Sequence, residues 1–182
     1  MELHDIDFFS DYVYNTRKTI VEFHEKEANM NITFVGHATV AEADRVGRLV
    51  KEEIRKYMAK GQGITCYLGG YGDFDEISAR ACRALKAEGG GLELVYVTPY
   101  RTLAEQEKIR ASCACGLYDA TVYPPLECVP PRLAILRRNA WMVRAADLVI
   151  AYVRYTHGGA YRALREAVRQ KKEIVNLYAP PT

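Results

Sequence analysis

Between residues 67 and 76 the chain reads YLGGYGDFDE: three glycines, Gly69, Gly70 and Gly72, around Tyr71, then three carboxylates, Asp73, Asp75 and Glu76. Glycine gives up more backbone freedom on folding than any other residue, so three in one turn need a cause. A comparable stretch, Thr156, His157, Gly158, Gly159 and Ala160, lies near the other end. Where such a turn leaves a strand and opens a helix, backbone N–H groups and the positive helix end form a cradle for an anion, phosphate above all. Neither stretch has G-x-G-x-x-G or GxxxxGK[ST] spacing. Two cradles on one edge of a parallel sheet would suit an extended, nucleotide-sized ligand. Three carboxylates would repel its phosphate, so Asp75 or Glu76 would instead hold ribose hydroxyls. The alternative for the first turn is a tight bend at positive φ, with the carboxylates merely offsetting the helix dipole.

The elements that must position these turns alternate between β-rich and helical patterns, as in repeated βαβ units. Strands are expected at 31–36, 64–69, 92–100, 118–125, 147–155 and 173–178, and helices at 39–61, from 73, at 132–146 and at 160–172. Val46, Leu49, Val50 and Ile54 form an apolar stripe, Thr39 and Glu42 have capping-box spacing, and Asp73 stands as the N-cap of the helix after the first turn. The stretch 102–116 reads equally as a helix or an irregular excursion. Pro124 and Pro125 stiffen an extended connection, where a cis bond is an open alternative. Trp141 and Met142 read as core. The expected architecture is an α/β, Rossmann-like three-layer α/β/α domain over 30–182 with a mainly parallel sheet, preceded by an extension over 1–29.

Composition narrows the class further. The 182 residues suffice for one well-buried domain, and a formal net charge of +2 names no partner. No apolar run approaches the roughly 20 residues of a membrane helix, and the N-terminus lacks the basic and apolar regions of a secretory signal, so a cytoplasmic protein is expected. Five cysteines, Cys66, Cys82, Cys113, Cys115 and Cys128, are uneven in spacing and do not make a disulfide framework. Cys113 and Cys115 alone would leave a tetrahedral metal two ligands short, so no metal and no cofactor is expected. Arg137, Arg138 and His157 are the basic groups placed to complement a phosphate.

Four blocks in order, GGYGDFDE, YPPLECVPPR, RNAWMV and GGA, resemble small stand-alone YpsA-like members of the SLOG superfamily, which includes the Lonely Guy enzymes and the DNA-processing protein A (Smf) family. The resemblance spans roughly 30–178. It implies a nucleotide-type ligand held by Gly36, His37, the two glycine turns, Arg138 and Asn139. Members of this kind commonly carry GHR near the start; here the third residue is Ala38. Lonely Guy enzymes cleave a nucleotide N-glycosidic bond with a glutamate in the pattern PGGxGTxxE. Alignment of THGGAYRAL with it puts Tyr161 at the third glycine and Arg165 at the glutamate.

The sequence therefore favours binding of a nucleoside monophosphate or an ADP-ribose-like ligand. The alternative is a nucleotide N-glycosidase, with Glu76 and Asp75 as its candidate catalytic carboxylates. Single-stranded DNA binding comes third, because the near-neutral total charge lacks the footprint of a nucleic-acid protein. A homodimer is consistent with the way relatives of this fold pair through helices.

Overall fold

A computed structural model describes residues 13–14 and 29–178. The rest of the expected 1–29 extension lies outside the described residues. Seven strands, β1 (Val13–Tyr14), β2 (Met30–Gly36), β3 (Ile64–Leu68), β4 (Leu92–Val97), β5 (Ala120–Val122), β6 (Leu148–Tyr152) and β7 (Glu173–Asn176), form one sheet in the order β1-β5-β4-β3-β2-β6-β7. β1 runs antiparallel on the β5 edge, and the six others are parallel. Between them run α1 (Ala43–Met58), α2 (Asp73–Ala87), α3 (Leu103–Ala114), α4 (Pro131–Ala145) and α5 (Gly158–Arg169). This is an α/β, Rossmann-like arrangement.

Alternation along the strands builds the layers. In β2, Ile32 and Phe34 face α1 and α2, joining Val46, Val50 and Ile54 at helical spacing and Phe74 and Leu85 from α2. Val35 faces the other way, with Val149 and Ala151 of β6 and Val143, Ala163 and Ala167 of α4 and α5. A side chain of this size contributes on the order of 1.5–3 kcal/mol when fully buried. Trp141 meets Tyr67 edge to face at 5.6 Å, and Met142 is buried, so both serve packing.

Several boundaries differ from the sequence expectation. The capping box at Thr39 and Glu42 does not form: α1 begins at Ala43, with Glu42 as its N-cap and no side-chain cap. The preceding loop is instead tied to α2, for Asp73 Oδ2 accepts the Val40 N–H at 3.0 Å and Ala38 O accepts the Asp73 N–H at 2.9 Å. Asp73 is accordingly the first residue of α2, and Gly72 is the N-cap. The open stretch is the helix α3, capped by Thr102, whose hydroxyl oxygen accepts the Glu105 N–H. The strand expected over 118–125 shrinks to β5, and Gly158 and Gly159 fall inside the first turn of α5. All described peptide bonds are trans.

Candidate functional site

Strands are added outward from β2 through β3 and β4 to β5, and then the chain returns to the far side of β2 with β6 and β7. At such a reversal the loops after the two neighbouring strands part onto opposite faces and leave a crevice beyond their carboxyl ends. A cavity of about 240 Å³ occupies that place. Of the residues singled out in the sequence, Gly36, His37, Tyr71, Asp75, Arg138, Asn139, Gly159 and Ala160 line it. Gly69, Gly70, Gly72, Asp73, Glu76, Thr156, His157 and Gly158 are not among its lining residues.

Arg138 is 1% exposed, the largest of the fully buried side chains. It sits on α4, under the carboxyl ends of the strands. One guanidinium nitrogen, Nη1, donates to Val97 O at 3.3 Å and to Met142 Sδ at 3.5 Å, while the Nε–H has no partner among the described residues. Its guanidinium carbon lies 5.2 Å from the centre of the Tyr71 ring. Burial lowers the Arg138 pKa, and the charge of Asp75 opposes that shift. A buried cation with a spare donor is costly to hold unless an anion or a strong acceptor meets it.

Asp75 lies in the first turn of α2. Its Oδ2 accepts the Tyr71 N–H at 2.8 Å. Burial pushes its carboxyl up to about 6, against the opposing pull of that N–H and of Arg138. Glu76, one residue on, points elsewhere: it is exposed and pairs with Arg83 at 3.2 Å and Arg80 at 3.8 Å. Chemistry at the cavity therefore has one carboxylate to draw on in this turn, Asp75.

The two glycine turns leave the same rim of the sheet but are built differently. In the first, a Cβ on Gly69 would strike the Arg138 guanidinium and come within 2.8 Å of Asp75 Oδ2. Gly72, at φ 94°, lies against Ala38, whose Cα would be 2.7 Å from an added Cβ. The turn is thus filled by the protein's own side chains, and the Asp75 carboxylate takes the amide that a phosphate would have used. The second turn is open. Among the described residues, beyond the chain neighbours and the helix's own backbone, no atom lies within 4 Å of a Cβ built on Gly158 or Gly159, and the N-cap of α5, His157, makes no side-chain cap. Gly159 and Ala160 carry first-turn amides without intrahelical partners and line the cavity.

His37 joins the two sides. Its Nε2 accepts the backbone N–H of Arg154 at 2.8 Å and of Tyr155 at 3.2 Å, and its ring lies 5.1 Å from that of Tyr155. Tyr155 stacks in turn on His157 at 5.5 Å. Burial, then the neighbouring His157, lowers the His37 pKa, so the ring is neutral at pH 7 with its proton on Nδ1.

Sequence reasoning missed Thr33, Phe34, Val35, Ala38, Ile135 and Met142 in the cavity wall. The first three are ordinary strand residues, and no local signal marks them. Ile135 is one turn before Arg138 and Asn139 on α4, so helical spacing from that pair could have found it.

No protein-family model matches the chain, and no curated protein matches it. Solved structures do. DNA-processing protein A from Helicobacter pylori, described for its single-stranded DNA binding mode, is similar over 80% of this chain and 63% of its own, at 15% identity and a TM-score of 0.55. DNA-processing protein A from Streptococcus pneumoniae is similar over 80% of this chain and 49% of its own, at 13% identity and a TM-score of 0.58. At this identity the likeness is one of fold: the chain shares the α/β, Rossmann-like arrangement of the aligned part of DNA-processing protein A. The chain thus spans less than two thirds of either DNA-processing protein. The molybdenum cofactor carrier protein of Chlamydomonas reinhardtii aligns over 83% of this chain and 77% of its own, at 16% identity and a TM-score of 0.49.

One expectation about partners changes. Among the described residues no helix is long and apolar enough to cross a membrane. The near-neutral total charge, however, does not weigh against nucleic acid, because the charge is segregated. From residue 131 onward the sequence holds ten Lys or Arg and three Asp or Glu. Arg144, Arg162 and Arg165 of α4 and α5 are exposed and have no ion-pair partner among the described residues.

Proposed function

We propose that the cavity binds a nucleotide, and that the ligand is held by one phosphate rather than by two separated ones. The observation that carries this reading is the buried Arg138, whose Nε–H has no partner among the described residues, in a crevice also lined by the open N-terminus of α5. Arg138 and the Gly159 and Ala160 amides supply charge and donors for the phosphate. Asn139 offers an amide, Asp75 a carboxylate oxygen for a ribose hydroxyl, and Tyr71 a ring face for a base. With the first glycine turn filled, only the second remains as a cradle. At about 240 Å³ the cavity stands just below the range of roughly 300–1,000 Å³ usual for ligand sites, which favours a nucleoside monophosphate over ADP-ribose.

Calorimetric titration with AMP, ADP-ribose and cyclic ADP-ribose tests this directly. AMP is expected to bind most tightly, and an absence of heat with all three overturns the reading. Gly159→Glu is the matched control: the added carboxylate suits the helix end and leaves the fold intact, but it occupies the phosphate position and should abolish binding.

A second reading, hydrolysis at the N-glycosidic bond of the bound nucleotide, is favoured by one observation: Asp75 lines the cavity, where burial pushes its carboxyl up to about 6, in the range useful for proton transfer. Chromatographic detection of free base released from AMP, lost in Asp75→Asn while AMP still binds, would support it. No released base under conditions of saturated binding would leave the protein a binding module.

A further inference from the structure

We infer that His37, through the two backbone amides its ring accepts, is the positioning residue of the second glycine turn, and that the turn holds its binding geometry only while that ring is neutral. The inference rests on the nucleotide reading for its effect on affinity, but not for its effect on the turn.

The loop after β6 must bring the start of α5 to the cavity without help from its own caps. Gly158 is at φ 85°, the His157 side chain makes no cap, and a Cβ added at either glycine would meet no more distant part of the described chain within 4 Å. Asn176 at the end of β7 holds only the first loop residue, accepting the Val153 N–H at 3.1 Å and donating to Val153 O at 3.0 Å; what fastens the residues nearer the cradle lies at the end of β2. His37, the residue after β2, donates its own N–H to Tyr152 O at 3.3 Å and accepts from Arg154 and Tyr155 with a single lone pair on Nε2. That pins three points of the chain between β6 and the cradle. Three residues beyond Arg154 stands the N-cap of α5, so the hold lies next to the amides it would orient.

An imidazolium has donors at both nitrogens and no acceptor. Protonation at Nε2 would set an N–H against two N–H groups and break both bonds. Among the described residues, the charged and titratable groups on the elements that meet at His37 are these. Arg154, Tyr155 and His157 belong to the turn itself, and Tyr152 ends β6. Asp73, tied to the loop just after His37, and Asp75 come from α2, and Arg138 from α4 lines the same cavity. Burial and His157 both act against the imidazolium. The functional consequence is a loss of phosphate affinity in mild acid that originates in the protein rather than in the ligand.

Two variants separate this from a packing effect. Glutamine at position 37 offers an amide oxygen at a reach similar to Nε2 and does not titrate; alanine offers none. In the ligand-free protein, NMR titration from pH 8 to pH 5 should show the Arg154 and Tyr155 amide signals shifting in step with the His37 ring, and hydrogen exchange at those amides rising with them. In His37→Gln both should stay constant. Calorimetry with AMP at each pH then gives the ratio of wild-type to His37→Gln affinity, in which the titration of the ligand phosphate and of Asp75 cancels. That ratio should fall progressively as the His37 ring titrates, toward a limit of about tenfold, the scale of a lost hydrogen bond, and His37→Ala should bind about tenfold more weakly than wild type at pH 7.5. Amide signals that ignore the His37 titration, or a ratio constant with pH, overturn the inference. Coupled signals with no AMP binding at any pH would keep His37 as the holder of the turn and remove the nucleotide reading instead.

Discussion

The glycine turns after β3 and after β6 carry the same sequence signature for opposite reasons. In the first, glycine is required because atoms are already there: Arg138, Asp75 and Ala38 crowd the positions a side chain would take. In the second there is nothing to avoid, and Gly158 and Gly159 leave an uncapped helix end open to the cavity. A glycine cluster between a strand and a helix therefore reports close approach of something to the backbone, and that something is the protein itself in one case and free space for a guest in the other.

The contrast is sharpest in what substitutions should do. The largest effect is expected from Gly69→Ala, which places a methyl group inside the Arg138 guanidinium. Overpacking of this kind costs about 1–3 kcal/mol, and displacement of a buried charge adds to it, so urea denaturation should show a loss at or above the top of that range. A tolerated Gly69→Ala would break the claim that the first turn is filled.

Next comes Asp75→Asn. A carboxyl whose pKa is raised on folding, here to about 6 from 3.8, stabilises the protein only while protonated. That contribution is complete below about pH 4 and is lost as pH rises through about 6. Asparagine keeps an acceptor for the Tyr71 N–H without the charge. The variant should be more stable than wild type at pH 7.5, on the order of 2 kcal/mol, and its denaturation midpoint should lose the decline between pH 4 and pH 6. A midpoint that follows wild type across that range would place Asp75 in water rather than in the filled turn.

Smaller effects belong to the open turn. Gly159→Ala meets no atom and lies within a helix at ordinary φ, so thermal denaturation should show a gain of about 0.5–1 kcal/mol. A loss of stability there would mean the turn is not open. Glu76→Gln should be smallest, within about 0.5 kcal/mol in stability and without change in AMP affinity, because its carboxylate pairs with arginines on the outer surface of α2.

Much of the scaffold is legible in the order of residues alone. The apolar stripe of α1 and the near-continuous apolar run of β6 mark the layers and a buried inner strand because burial leaves a periodic trace in one dimension. The rim on which both turns lie follows from the βαβ pattern. What stays hidden depends on contacts between distant residues. Asp73 has the position of a cap for α2 but spends its carboxylate on Val40, and no local rule marks that partner. Glu76 and Asp75 are neighbours in sequence, yet one faces arginines and the other the cavity, a difference set by where α2 begins. His37 reads in the sequence as a ligand contact; that its acceptor is engaged by Arg154 and Tyr155, more than a hundred residues away, is invisible until the strands are side by side. The basic character of α4 and α5 escapes for a simpler reason, since a sum over the whole chain cancels it.

The helix α3 is fastened unlike the others. Ile109 is its only buried side chain, and Glu105 ties it to the sheet by accepting from the Tyr96 and Thr98 hydroxyls at 3.1 and 3.3 Å. A segment held by a few hydrogen bonds and little apolar area opens at low free energy. Among the described residues, trypsin should therefore nick first at Arg101, Lys108 or Arg110, giving two fragments that stay associated through the sheet while the crevice beyond β2 and β6 remains assembled.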